Sequence, residues 1–133
     1  MLHVYGIARA GYVPQLFSLR LPNPDVVYEL LQRAGAQAFI FDPAFESIVT
    51  NPSIPAELAV DVRSTDVSEK DLPPLWVPSS GDDIVMIYHT SGSTSGSPKL
   101  VPCTADWVNA TVEKAARVTR PRRSTRQDVT VWM

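Results

Sequence analysis

The residues best suited to chemistry lie in one stretch, Thr90–Lys99, which reads TSGSTSGSPK. From Thr90 to Ser97 every residue is Ser, Thr or Gly, and a lysine follows Pro98. A polyphosphate is bound by converging backbone N–H groups, hydroxyl donors and a cation. Glycine lets the main chain turn sharply and come close to an anion. Ser and Thr add hydroxyl donors, and lysine adds a compact charge on a long stem. Thr90, Ser91, Gly92, Ser93, Thr94, Gly96 and Lys99 supply all three ingredients. A slack Ser/Gly linker is the competing reading.

Position favours the cradle. The stretch follows IVMIYH (residues 84–89), an apolar run without alternation that predicts a strand buried on both faces. In open α/β sheets, ligands collect beyond the C-terminal ends of strands. After the stretch, Lys99 to Pro102 is read as extended, and Thr104 as the cap of a helix over 105–118. Neither the Walker A pattern nor the dinucleotide G-x-G-x-x-G occurs.

The elements upstream alternate between helix and strand. Leu2 to Ala10 reads as the end of a buried helix, stopped by Gly11. Tyr12 to Leu19 reads as a short extended segment, with Pro14 placing it at an edge. Asn23, Pro24 and Asp25 open the clearest helix, with Val26, Val27, Leu30 and Leu31 on one face and Gly35 as its stop. A buried strand over 38–41 follows at once, then a short helix over 44–49 and a strand near Leu58 to Val62. Helix, glycine turn and strand make half of a parallel α/β unit. Asp66 to Asp83 reads as a surface connection in which Leu75 to Val77 covers an apolar edge.

HTSGSTSGSPKLVP resembles the phosphate loop of the acyl-adenylate-forming (AMP-binding) enzymes, whose pattern is close to Tyr-Thr-Ser-Gly-Ser/Thr-Thr-Gly-x-Pro-Lys-Gly. A second block, GIARAGYVPQLFSLRLPNPDVVYELLQRAGAQAFIFD, is similar to an upstream region of the same enzymes. Together the two cover about Leu2 to Val118. Three residues (Ser95, Gly96, Ser97) stand where the family has two between Thr and Pro-Lys, so the register after Thr94 is open. Leu100 replaces the usual glycine, and His89 a frequent tyrosine. This variation resembles the adenylation parts of reductase-type synthetases.

The resemblance implies an α/β fold: a three-layer fragment with a mostly parallel sheet flanked by helices, part of the large N-terminal domain of an adenylating enzyme. Residues 1–118 form a partial adenylation domain, and 119–133 a basic, irregular tail. It implies ATP and Mg²⁺, and a carboxylate that attacks the α-phosphate and releases pyrophosphate. Thr90, Ser91, Gly92, Ser93 and Thr94 then embrace the β- and γ-phosphates, with Gly96 and Lys99 beside them. No catalytic residue and no metal ligand is assigned. Family blocks for adenine, ribose, the acyl pocket and the lid lysine are not seen in these residues. The expectation is therefore a fragment inactive by itself, with a non-catalytic phosphate- or protein-binding remnant as the alternative.

Composition narrows the remaining classes. Residues 1–116 carry 13 acidic against 7 basic side chains, so this part gives no reason to expect nucleic acid or an anionic membrane as partner. Residues 117–133 carry five arginines against one acid, which raises a basic-tailed nucleic-acid binder as a second alternative. Few aromatics interleave with them, and a solvated tail is the better reading. One cysteine, Cys103, excludes a disulfide framework and reads as a packed residue. His89 reads as a packing or hydrogen-bonding histidine at a strand end, and Asp82-Asp83 as a solvated pair. No apolar run reaches membrane-spanning length and no secretory leader pattern opens the chain, so it is read as cytoplasmic.

Overall fold

A computed structural model describes residues 2–18, 21, 23–50, 53–63, 72, 74–90 and 98–118. The element order is α1 (Leu2–Arg9), α2 (Pro24–Ala34), β1 (Phe39–Phe41), a 3₁₀ turn (Pro43–Ile48), β2 (Ala56–Leu58), β3 (Ile84–His89), β4 (Leu100–Thr104) and α3 (Ala105–Val118). This is an α/β arrangement. Strands β1 and β2 pair in parallel, with Phe39 opposite Ala56 and Phe41 opposite Leu58. Strands β3 and β4 pair antiparallel.

Local chemistry sets the limits of α2. Asn23 is extended at φ −83°, and its side-chain oxygen accepts the Asp25 N–H. Pro24 opens the helix, where a missing N–H costs nothing. Gly35, at φ 67°, closes it and donates to carbonyls in the last turn. The buried face is Val27, Tyr28, Leu30 and Leu31. Val27, Tyr28, Leu31 and Ile54 form the core, with Phe17, Phe39 and Ile48 packed on it. Tyr28 thus joins the buried face expected of Val26: its ring meets Phe39 edge-on at 6.4 Å, and Phe39 meets Phe17 edge-on at 6.2 Å.

The short segment before α2 is an edge, as Pro14 implies. Gln15 forms a parallel bridge to Ile87, through Leu16 N–H to Ile87 O (3.1 Å) and Ile87 N–H to Pro14 O (2.9 Å). Gly11 sits at φ 86°, and the Trp76 ring lies against it where a Cβ would be. The Trp76 N–H reaches Arg9 O, so this part of the long connection straps the end of α1.

Three expectations change. The strand expected near Leu58 to Val62 is Ala56–Leu58, because its pairing is set by β1 and not by its own apolar run. The mostly parallel sheet is, among the described residues, one parallel pair and one antiparallel pair. The expected double burial of β3 is not seen: Ile84 and Tyr88 are exposed. An apolar run reports what a strand suits, not what covers it.

Candidate functional site

The loop of interest springs from the end of β3 and returns as β4. Pairing along this hairpin explains how β4 tolerates a proline. Ile87 turns both of its backbone groups toward Pro14 and Leu16. Pro102, directly opposite Ile87, therefore lies in a non-hydrogen-bonded pair and owes β3 no N–H. One step further, Tyr88 pairs with Val101 and His89 with Leu100.

The neck of the loop is closed by two bonds between the same two residues. Thr90 N–H donates to Lys99 O at 2.9 Å, and Lys99 N–H donates to Thr90 Oγ1 at 3.1 Å. Ser91, Gly92, Ser93, Thr94 and Gly96 lie outside the described residues. Of the expected site, the structure places Thr90 and Lys99, and it brings them together. Both are exposed, and Lys99 has no carboxylate partner among the described residues. The Thr90 hydroxyl accepts from Lys99 and keeps its own proton to donate.

Two residues outside the Ser/Gly run also hold the neck. His89 Nε2 accepts the Ser18 N–H at 3.1 Å, and Nδ1 lies 3.2 Å from Thr90 O. That pattern needs the Nδ1–H tautomer, with Nδ1 donating to Thr90. The imidazole also stacks near Phe17. His89 thus ties the strand end to the neighbouring segment, in the hydrogen-bonding role expected for it. On the other side, Arg33 Nη1 donates to Pro98 O at 3.1 Å and contacts Glu29 Oε1 at 3.3 Å. Sequence reasoning missed Arg33. Its spacing to Glu29 is that of an ordinary surface i,i+4 pair, and nothing local signals a contact with residue 98.

The hairpin's base is built by α3. Thr104 Oγ1 accepts the Trp107 N–H, so the expected cap forms. Ala105 and Asp106 N–H groups donate to Asp83 O and Gly81 O, which docks the helix start on the turn before β3. Within that turn the Asp83 carboxylate accepts from Ser80 N–H, the Ser79 hydroxyl and Ser79 N–H. These donors, Ser80 first, hold its pKa below the usual carboxylate value. Cys103 is buried in β4, and burial pushes its thiol pKa up, which suits a packed residue and not a nucleophile. Of Asp82-Asp83, read as a solvated pair, Asp83 is engaged as the turn's acceptor.

This geometry is a Ser/Thr/Gly loop with a closed neck at the C-terminal end of a strand, and a family profile described as "AMP-binding enzyme" matches residues 1–133. The chain belongs to the AMP-binding enzyme family. It is 36% identical over 115 residues to the AMP-binding domain-containing enzyme iboA of Amanita muscaria, covering 82% of this chain and 22% of that protein. Over 119 residues it is 31% identical to the adenylate-forming reductase stbB of Stachybotrys bisbyi, covering 77% of this chain and 10% of that one. Over 116 residues it is 28% identical to the non-canonical non-ribosomal peptide synthetase ascB of Acremonium egyptiacum, covering 78% and 10%. The chain therefore spans about a fifth or less of the length of these relatives. No solved structure matches it significantly. Among the described residues, no helix is long and apolar enough to cross a membrane.

Proposed function

We propose that this chain contributes the phosphate-holding hairpin of an ATP-dependent carboxylate-adenylating enzyme. The observation that carries the reading is the closed Thr90–Lys99 neck at the C-terminal end of β3. A closed neck fixes where the loop starts and returns, and it holds the Thr90 hydroxyl and the Lys99 main chain at one rim. The Thr90 hydroxyl proton and the Lys99 ammonium are the donors at its rim. Ser91, Gly92, Ser93, Thr94 and Gly96 complete the cradle in this reading. Lys99 neutralises charge on the pyrophosphate leaving group, and Arg33 and His89 hold the neck. Mg²⁺, when bound with ATP, shares that neutralisation. The reaction is attack of a carboxylate oxygen on the α-phosphorus, with the bond to pyrophosphate breaking as the acyl-adenylate forms.

These 133 residues bind the nucleotide's phosphates without completing the reaction by themselves, and they act in the cytoplasm. Titration calorimetry with Mg-ATP on the folded chain tests the first point. Binding is expected, and is weakened by Lys99→Ala and by Gly92→Val. A folded sample that takes up no Mg-ATP would leave the non-catalytic remnant as the better description. Pyrophosphate exchange with a panel of carboxylates tests the second, with no exchange expected.

A further inference from the structure

Between the two sheets lies an open, mostly apolar cavity of about 1260 Å³. On one side it is lined by the segment through Gln15 and Phe17, and on the other by β1 and its flanks, Ala38 and Ile40 included. Residues of α1 and α2 line it as well.

The hydrogen bonds of the two flanking segments show which way their backbones face. Pro14 O and Leu16 N–H are spent on Ile87. Main-chain groups alternate sides along an extended segment, so those of Gln15 and Phe17 point away from β3. Phe39 N–H and Phe41 O are spent on the β2 side, through Pro55 O and Ala59 N–H. Those of Ala38 and Ile40 therefore point away from β2. Among the described residues, none of these four has a main-chain partner for its outward groups. Gln15 also has a buried side-chain oxygen with no partner. Two unpaired strand edges thus border one apolar cavity that residues of both helices also line.

We propose that this cavity is a slot for one extended strand, about five residues long and apolar on both faces, which joins the two pairs into a single sheet. At about 3.3 Å per residue such a strand runs about 17 Å. Apolar side chains on both of its faces match the α1 and α2 residues that line the slot. The occupant is a strand of adenylation-domain sequence outside these 133 residues. The relatives carry most of their length outside the matched stretch, this chain covering 22% of one and 10% of two others. The inference does not depend on nucleotide binding, and its test contains no nucleotide.

The probe is a soluble synthetic peptide with about five consecutive Val and Ile residues between lysine pairs. It is added to the 133-residue chain, and amide hydrogen exchange is followed. The amides of Gln15, Phe17 and Ile40 should exchange freely alone and slow on the order of tenfold or more at saturation. The same peptide N-methylated throughout its apolar run has both edges blocked and should give no such slowing. Ile40→Pro removes only an outward N–H and leaves the Phe39 and Phe41 bonds to β2, so it should keep its thermal transition and lose the peptide effect. Equal protection by the methylated peptide, protection confined to the outer edge of β4, or unchanged exchange at all three amides would overturn the proposal. So would concentration-dependent self-association that protects the same amides without peptide, because a second copy would then be the occupant.

Discussion

Thr90 and Lys99 are joined twice, main chain to main chain and main chain to hydroxyl, across the neck of the β3–β4 hairpin. The hydroxyl bond is the one a side-chain change can remove. Thr90→Val keeps the β-branched shape preferred in extended backbone but leaves the Lys99 N–H without Oγ1. Because the site is exposed, water replaces part of the loss, and urea denaturation should show a cost of about 0.5–1 kcal/mol. Thr90→Ser keeps the acceptor and should lie much closer to the parent. If the neck also organises the cradle, Mg-ATP affinity falls in Thr90→Val and holds in Thr90→Ser. Equal behaviour of the two variants would separate the hydroxyl from both roles.

Arg33 bridges α2 to the returning arm of the same loop through Pro98 O. Arg33→Gln shortens the side chain and removes that bond. Its contact with Glu29 is an exposed i,i+4 pair, worth little by itself. The expected result is a Mg-ATP affinity lowered about fivefold, corresponding to one lost hydrogen bond of about 1 kcal/mol. Glu29→Gln breaks only the ion pair and should leave affinity unchanged. Parallel calorimetric titrations of the two variants check this, and matched losses would point to the ion pair instead.

What could be read from the sequence was mostly what is decided locally. Asn23, Pro24 and Gly35 define α2 by capping geometry that operates within a few residues. Thr104 does the same for α3. Phe39–Phe41 and Ile84–His89 are dense in β-branched and aromatic residues between turn formers, so their strand character is legible. The direction of β4 is not legible. LVPCT has too little alternation to choose a partner, and antiparallel pairing follows from where the loop returns. The exposure of Ile84 and Tyr88 was equally hidden, because burial depends on neighbours distant in sequence. At the candidate site, the Ser/Thr/Gly composition marked the loop, and the structure joins Thr90 to Lys99 across its neck. The clamps from Ser18 through His89 and from Arg33 join residues 71 and 65 positions apart, and no spacing rule reaches that far.

Acid should weaken the turn that docks α3. The Asp83 carboxylate accepts three bonds from Ser80 and Ser79, and its pKa is lowered in the folded chain. A lowered folded-state pKa means that the unfolded chain binds the proton more tightly. The stabilisation is therefore complete above the ordinary carboxylate range and is lost as pH falls through the folded value. Asp61 is lowered too, by Arg63 N–H and then by its guanidinium, so both residues feed the acid limb. Asp83→Asn in an Asp61→Asn background should lose stability at neutral pH and show a shallower decline below about pH 4 than the background alone. Thermal melts across that range measure it, and identical slopes would show that Asp83 contributes nothing to the acid limb.

Gly81 and Asp106 meet where the turn before β3 receives α3. Asp106 N–H donates to Gly81 O at 3.0 Å, and the Asp106 carboxyl occupies the space that a Cβ on residue 81 would need. Gly81→Ala must therefore push that carboxyl aside or shift the helix start, at about 1–3 kcal/mol for overpacking. Asp106→Ala alone should cost less, about 0.5 kcal/mol, because it removes only an exposed negative charge from the first turn of α3. Combining the two removes the clash as well as the carboxyl. The double variant should then be more stable than Gly81→Ala by itself, with a coupling of about 1 kcal/mol or more in a double-mutant cycle. Strict additivity in urea denaturation would mean that Asp106 swings out freely, and that residue 81 is glycine for some reason other than the space this carboxylate fills.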